Sequence, residues 1–170
     1  MIITRLDIEG FGIFRDASAP DLSPGLNLFF GENEAGKTTL LSFIPVILFG
    51  FPDGRTNRPR YLPMNGGLHG GSLGILDESL GRITVARHAG KSRGPLEVLL
   101  ENGGTGDERT LSRVLSGVSE NLFRSAHAFS LSELASMEAL TDADLRAAVA
   151  GASYGSGFLR LDKAAKALKT

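Results

Sequence analysis

The 170-residue sequence contains no cysteine, which excludes three kinds of chemistry. A disulfide scaffold, a thiolate zinc site and a cysteine nucleophile all require that residue. A chain of this length is expected to bury about 70% of the surface that its unfolded form exposes, so it needs no such staple. The formal net charge is only −1. Nucleic acid could therefore be bound only through a local basic patch, and not by the charge of the whole molecule.

The sequence also lacks a long apolar run. The longest, residues 40–51, contains Ser42 and Pro45 and is shorter than the ~20 residues that cross a bilayer. The first ten residues carry three charged side chains, unlike a secretory signal peptide. We therefore expect a cytoplasmic protein with no membrane partner. The three histidines (His69, His88 and His127) have no metal-ligand spacing, so the only metal expected is one that accompanies a nucleotide.

Lysine is scarce in the first half of the chain, where Lys37 is the only one in residues 1–90. It lies in the run G-E-N-E-A-G-K-T at residues 31–38, which fits the phosphate-loop pattern G-x4-G-K-[ST] without a mismatch. The apolar residues 26–30 precede this loop and predict a strand buried on both faces. Residues 37–49 follow it and predict a helix. Strand, loop and helix in this order are the context that the motif requires.

Each residue type in this loop has a chemical reason. Gly31 and Gly36 allow a tight turn in which backbone N–H groups converge on phosphate oxygens, and the positive end of the helix points at the same anion. Lys37 places a compact charge on the outer phosphates, and Thr38 offers a hydroxyl to Mg²⁺. The loop predicts a bound nucleotide with Mg²⁺ as cofactors, with Lys37 and Thr38 as the catalytic candidates and Thr38 as the Mg²⁺ ligand. The predicted nucleotide-binding residues are Gly31, Asn33, Glu34, Ala35, Gly36, Lys37, Thr38 and Thr39.

The remaining pattern predicts an α/β fold. Strands are predicted at residues 1–9, 26–30, 72–76, 82–88 and 96–101. The last three are separated by turn-rich segments, which favours an antiparallel meander. Helices are predicted at residues 37–49, 111–115, 119–124, 141–150 and 158–170. We therefore expect a mixed sheet, a β-meander flap and C-terminal helices, with one domain in residues 1–157 and the start of a further helix in residues 158–170.

Several stretches of the sequence carry a family resemblance. They are I-T-R-L-D-I-E-G-F-G-I-F, G-L-N-L-F-F-G-E-N-E-A-G-K-T-T-L-L, I-L-F-G-F-P, H-G-G-S-L, R-I-T-V-A-R and F-S-L-S-E-L. The chain thereby resembles the ATPases related to the structural-maintenance-of-chromosomes (SMC) proteins, which include the coiled-coil ATPases of double-strand-break repair and the YhaN-like bacterial ATPases. N-E-A-G-K-T-T is specific to this branch of the phosphate-loop proteins.

The resemblance implies an incomplete active site. In this family an ABC-ATPase-like head is assembled from two lobes joined by a long antiparallel coiled coil, and this chain resembles the N-terminal lobe. The C-terminal lobe would supply the acidic Walker B strand, a serine-glycine signature and a histidine switch. Two heads would sandwich two ATP molecules, so this chain alone is expected to be inactive or weak. Residues 158–170 would begin the coiled coil.

The resemblance also implies DNA repair or DNA-end processing, with a nuclease as a possible partner. Arg15 would lie near the nucleotide. The chain has no glutamine, so the usual magnesium-loop glutamine is absent, and Glu133 is the candidate to replace it. Two acid-free stretches could contact DNA phosphates. Their basic residues are Arg55, Arg58, Arg60, Arg82, Arg87, Lys91 and Arg93.

Two alternatives remain open. In the first, the chain is a self-contained phosphate-loop kinase that uses Asp77 as its Walker B carboxylate, because L-G-I-L-D-E at residues 73–78 imitates that strand. A second strand pattern follows at once, which favours a hairpin at Asp77 instead. In the second alternative the loop only holds a nucleotide or an anion, and the chain is a non-catalytic interaction module.

Overall fold

The structure, a computed structural model, describes residues 1–53 and 58–128. The chain divides into two compact units, Met1–Val114 and Leu115–Thr170, and each is described by itself. The helices predicted at residues 141–150 and 158–170, and the domain boundary predicted after residue 157, lie outside the described residues.

The first unit is built on an antiparallel sheet. Its strands are β1 (Ile2–Phe11), β2 (Phe14–Ala19), β3 (Gly70–Asp77), β4 (Gly81–His88), β5 (Leu96–Leu100) and β6 (Thr105–Gly106). They lie side by side in the order β2-β1-β3-β4-β5-β6, and each ladder between neighbours is antiparallel. The predicted first strand and the predicted meander are confirmed.

One face of this sheet is the core. In β3, Leu73 and Ile75 are buried while Gly74 between them is more exposed, and β4 shows the same alternation at Ile83 and Val85. Successive side chains of a strand point to opposite faces, so these four line one side. Helix α1 (Lys37–Phe49) packs on β3 and β4. Burial of one such aliphatic side chain contributes about 1.5–3 kcal/mol.

Helix α1 has the bounds that the sequence predicts. It ends at Gly50, which adopts a φ of 96° and donates its N–H to the carbonyl of Val46 at 2.8 Å. Pro45 lies inside the helix and is buried with Phe43, Val46, Ile47 and Leu48.

The strand predicted at residues 26–30 is wrong. These residues form no strand, and the side chains of Leu26 and Phe30 are 93% and 88% exposed. A strand that is apolar on both faces needs a hydrogen-bonded neighbour and cover on each side. Within residues 1–53 and 58–128 no strand pairs with this run. The described sheet is therefore antiparallel and not mixed as predicted.

Two short helices follow the sheet. In the first unit, α2 (Glu108–Val114) is capped by Asp107, whose carboxylate accepts the backbone N–H groups of Arg109 and Thr110 at 3.0 Å each. In the second unit, α3 (Glu120–His127) is capped by Ser119. They confirm the helices predicted at residues 111–115 and 119–124. None of the helices in the described ranges is long and apolar enough to cross a membrane.

Candidate phosphate-binding site

The loop at residues 31–36 closes around the ammonium group of Lys37. Its Nζ donates to the carbonyl oxygens of Gly31 and Glu32, at 2.7 Å each. The backbone N–H of Ala35 donates to the carbonyl of Glu32 at 3.2 Å and tightens the turn. Lys37 is also the first residue of α1, so the helix, the loop and the cation form one local unit.

Two positions in the loop require glycine for space. A Cβ on Gly31 would lie 2.9 Å from the Cβ of Ala35, inside the curve of the loop. A Cβ on Gly36 would lie 2.7 Å from Ile13 Cδ1 and 2.8 Å from Phe14 Cζ. Gly36 also adopts a φ of 90°, which costs other residues about 1–2 kcal/mol. The two glycines thus let the loop fold tightly on itself and pack against the turn that carries Ile13 and Phe14.

The N-terminus of α1 is left open to an anion. Its N-cap residue is Gly36, which has no side chain to accept the first amide hydrogens, and the first turn has no acidic residue. The helices α2 and α3 are instead capped by the side chains of Asp107 and Ser119. Free first-turn N–H groups and the helix dipole attract phosphate. With the exposed Lys37 and Thr38, this cradle fits the polyphosphate of a nucleotide and its Mg²⁺.

The turn between β1 and β2 packs against the phosphate loop. Ile13 and Phe14 lie against Gly36, and a Cβ on Gly12 would lie 2.7 Å from Thr39 Cγ2. Arg15 follows Phe14 and is exposed. Its guanidinium donates to the carbonyl of Asn65 at 3.1 Å and pairs with the carboxylate of Asp16 at 3.2 Å. The predicted contact between Arg15 and the nucleotide stays a prediction.

Residues 58–69, which we name the strap, lie against this turn. Gly12 donates its N–H to the carbonyl of Tyr61 at 2.8 Å and accepts the N–H of Met64 at the same distance. The Ser42 hydroxyl of α1 donates to the hydroxyl of Tyr61 at 3.0 Å. The strap is therefore tied to the helix that carries the phosphate loop. Local sequence patterns do not predict these bonds, because the partners lie far away in the chain.

His69 fixes the end of the strap. Its ring lies 5.8 Å from the ring of Phe11 and 4.7 Å from that of Phe51, measured between centroids. Burial lowers the pKa of His69, although hydrogen bonding with the backbone of Arg60 and Tyr61 acts in the opposite direction. Its Nε2 atom is buried without a hydrogen-bond partner. The neutral imidazole is thus the form that fits between the two aromatic rings.

Comparison with known proteins decides what kind of domain carries this loop. A family model described as "AAA domain" matches residues 1–170. The chain belongs to this AAA-domain family. The YhaN protein of Bacillus subtilis (strain 168) is 31% identical over 127 residues, which are 75% of this chain and 13% of that protein. These matches identify an ATP-binding, ATPase-type domain that is similar to an SMC-like ATPase head. The chain spans about an eighth of the length of this relative.

One of the cations predicted to contact DNA is buried in this AAA domain. Arg87 is 2% exposed. Its Nε donates to the carbonyl of Ile47 near the end of α1 at 2.9 Å, and its Nη1 donates to the carbonyl of Gly94 at 3.1 Å. Nη1 also pairs with the carboxylate of Glu108 at 2.9 Å. The prediction of a DNA contact at Arg87 is wrong, because the guanidinium is enclosed by these groups.

Among the other predicted cations, Arg82 lies apart from the rest. Lys91 lines a cleft of about 660 Å³ together with Asp107 and Glu108, so carboxylates face the same space. Arg93 lies in the same loop as Lys91. Arg82 is at one end of β4, whereas the strap, which carries Arg58 and Arg60, joins β3 beside the other end of β4. Those two ends are about 20 Å apart at ~3.3 Å per residue. Arg55 and Glu133 lie outside the described residues.

Asp77 lies in a hairpin turn and not beside the phosphate loop. Its carboxylate accepts the N–H and the hydroxyl of Ser79, at 3.0 and 2.8 Å, and the N–H of Leu80 at 3.2 Å. Partial burial would raise the pKa of Asp77, but these hydrogen bonds together lower it. Gly70, at the opposite end of β3, pairs with Gly10 near the phosphate loop. Asp77 is about 23 Å further along the strand at ~3.3 Å per residue.

Proposed function

We propose that this AAA domain is the Mg-ATP-binding lobe of an SMC-like ATPase head, and that it hydrolyses ATP when a second lobe and a second head complete the site. The observation that carries the proposal is the exposure of the apolar run that leads into the phosphate loop. It is formed by Leu26, Leu28, Phe29 and Phe30, which are all exposed.

This exposure is costly in an isolated domain. Covering one large apolar side chain contributes about 1.5–3 kcal/mol, so covering most of this run would contribute on the order of 5–10 kcal/mol before the entropy of association is subtracted. Parallel strands, covered on both faces, are nearly continuous apolar runs, and residues 26–30 are apolar except for Asn27. A strand of the second lobe that pairs with this run would supply both the hydrogen bonds and the cover.

Different groups of the loop would bind different parts of the Mg-nucleotide. The N–H groups at the start of α1 would bind and orient the phosphates, and Lys37 would turn its ammonium from the carbonyls of Gly31 and Glu32 toward the anion. Thr38 would direct its hydroxyl to Mg²⁺. When bound, Mg²⁺ neutralises charge that develops on the outer phosphates. The carboxylate that positions the attacking water would come from the second lobe.

The position of Asp77 disfavours the self-contained kinase. The carboxylate of a Walker B strand must lie close to the nucleotide and its metal ion. Asp77 instead holds a hairpin turn through Ser79 and Leu80, at the end of β3 that is remote from Gly70. We therefore retain the two-lobe ATPase.

The wider role follows from the resemblance to SMC-like ATPases. We propose a coiled coil that begins in residues 158–170, a head dimer around ATP, and participation in DNA repair or DNA-end processing, with a nuclease as a possible partner. Arg87 is buried and Arg82 lies at the end of β4 opposite the strap, so we propose that DNA contact involves the completed head.

Association with the second lobe tests this proposal. The binding partner would be a separate polypeptide that carries the C-terminal lobe of the same head, titrated by calorimetry with chain Met1–Thr170. Leu28→Asp should weaken binding by about a hundredfold or more, because a charge would be buried in the new sheet. Leu99→Asp is the matched control, since Leu99 is an exposed leucine on β5. Equal binding by the two variants would contradict the proposal.

A further inference from the structure

An exposed apolar cluster lies on the strap, apart from the run before the phosphate loop. Leu62, Met64 and Leu68 are 64%, 75% and 59% exposed. Single exposed apolar residues are common, whereas a group of them on one part of the surface marks an interaction site. We name these three side chains the strap cluster.

The path of the strap brings the cluster together. Tyr61 bonds to Gly12, just beyond the end of β1. Gly67 packs on the backbone of Glu9 and Gly10 so closely that a Cβ on Gly67 would overlap the Glu9 carbonyl. The two anchor points on β1 are therefore only two or three residues apart, about 7–10 Å. The strap leaves and returns over this distance, so Leu62, Met64 and Leu68 belong to one short surface segment at the end of β1.

The strap is also firmly held. Tyr61 stacks on Phe11, with ring centroids 5.1 Å apart, and its hydroxyl meets the Ser42 hydroxyl of α1. Asn65 Nδ2 donates to the carbonyl of Ile13 at 2.7 Å. A preorganised surface loses little entropy when a partner binds, so these bonds suit a docking surface.

The strap itself carries basic but no acidic side chains, although Asp16, which pairs with Arg15, and Glu9, whose backbone contacts Gly67, lie beside it. Residues 54–76 contain no aspartate or glutamate. Arg58 and Arg60 are exposed at the start of the strap, and the guanidinium of Arg15 binds the carbonyl of Asn65. A partner with carboxylates around an apolar centre complements this surface.

Nucleic acid fits the strap less well than protein does. Single strands bind through aromatic platforms on which bases stack, but the ring of Tyr61 is already stacked on Phe11. Duplex DNA binds to polar and strongly basic surfaces, whereas the strap exposes three large apolar side chains. A second copy of the same surface would bring like charges together in a twofold contact.

We propose that the strap cluster is the docking site for a protein segment that combines aliphatic and acidic side chains, in which the aliphatic groups cover Leu62, Met64 and Leu68 and the carboxylates pair with Arg60. This site is separate from the phosphate loop and from residues 26–30. Its occupancy requires neither ATP hydrolysis nor the second lobe, so it can be tested even if the proposed ATPase function fails.

Peptide selection on the full chain tests the site. A phage library of random peptides is selected on immobilised Met1–Thr170 and counter-selected on the triple variant Leu62→Ser, Met64→Ser, Leu68→Ser. We expect peptides enriched in leucine-like residues and in aspartate or glutamate. The proposal would be overturned if no peptide required the strap cluster for binding, or if the peptides that required it were not enriched in acidic residues.

Charge reversal then supplies a single-site test with a matched control. The selected peptides, labelled with a fluorophore, are titrated with each variant and followed by anisotropy. Arg60→Glu should weaken binding about tenfold or more, which corresponds to loss of a specific charge pair. Arg82→Glu, at an exposed arginine on β4, should leave binding within about twofold of wild type. Equal effects of the two reversals would overturn the proposal.

Three further measurements exclude other occupants. The triple variant should bind a short DNA duplex and a short single strand as the wild type does, and it should show the same sedimentation behaviour. It should also bind the second lobe with unchanged affinity. A loss of DNA binding, of self-association or of lobe binding in the triple variant would assign the strap cluster to that occupant and overturn the proposal.

Discussion

Replacement of Gly36 by alanine is a direct test of the loop geometry. The φ of Gly36 is 90°, a conformation that costs a residue with a Cβ about 1–2 kcal/mol. The new Cβ would lie 2.7 Å from Ile13 Cδ1 and 2.8 Å from Phe14 Cζ, well inside the usual 3.5–4.0 Å contact distance. Moving these side chains costs a further 1–3 kcal/mol or so. The free energy of unfolding should therefore fall by about 2–5 kcal/mol.

A second glycine separates the backbone cost from the steric cost. Gly103, in the turn between β5 and β6, has a φ of 81°, and a Cβ there would meet nothing within 4 Å. Gly103→Ala should lower the free energy of unfolding by only about 1–2 kcal/mol. Thermal unfolding measures both variants, at roughly 2–4 °C per kcal/mol for a chain of this size.

Nucleotide binding gives the functional half of this test. A displaced loop should weaken binding of a fluorescent ATP analogue by about tenfold or more in Gly36→Ala, whereas Gly103→Ala should bind as the wild type does. If the two alanine variants lose equal stability and both bind the analogue normally, the close contact of Ile13 and Phe14 with Gly36 does not affect stability or nucleotide binding. That result would refute the steric argument.

Three further substitutions test the surrounding structure. Arg87→Met leaves the carbonyls of Ile47 and Gly94 without their donors. The free energy of unfolding, measured in urea, should therefore fall by about 2–4 kcal/mol. A fall of less than about 1 kcal/mol would contradict the structural role of this buried cation. Because burial lowers the pKa of His69, its contribution to stability is complete above its ordinary pKa and is lost as the pH falls below it. His69→Gln should therefore flatten the decline in stability between about pH 7 and pH 5, and an unchanged slope would argue against the buried neutral ring. Asp77, whose pKa is also lowered, stabilises the fold at neutral pH and loses that effect in acid, so Asp77→Asn should destabilise the fold only above the pKa of Asp77 in the folded protein. Asp77→Asn should leave ATP hydrolysis by the completed head unchanged. A loss of hydrolysis would instead favour the self-contained kinase.

Local patterns were sufficient to predict much of the sheet and the first helix. In β3 and β4 the alternation of apolar residues marks the face that α1 covers, because the period of a strand is set by its own backbone. Helix α1 begins after Gly36 and ends at Gly50, and glycine at the C-terminal end of a helix is a local stop signal. The phosphate loop is likewise a local motif, and its internal bonds join residues at most six apart.

Features that depend on distant partners were not predictable. The burial of Arg87 is decided by Ile47, 40 residues earlier in the chain, and by Glu108. The strap is held by Gly12 and by Ser42, which no spacing rule connects to Tyr61.

The apolar run at residues 26–30 shows a different kind of failure. Its composition predicts a buried strand, yet the described chain provides no neighbour for it. The composition of a segment indicates whether its side chains favour burial, but a strand forms only where another segment pairs with it and covers it. Under the two-lobe proposal, the composition of residues 26–30 suits their burial in the completed head, and the same residues are exposed in the single lobe.

ATP hydrolysis by chain Met1–Thr170, alone and mixed with the polypeptide that carries the C-terminal lobe, tests the central claim most directly. Lys37→Ala serves as the control in both cases. The account predicts little or no turnover by the chain alone, and turnover that appears on mixing and disappears in Lys37→Ala. Strong hydrolysis by the chain alone, or no hydrolysis in the mixture, would contradict it.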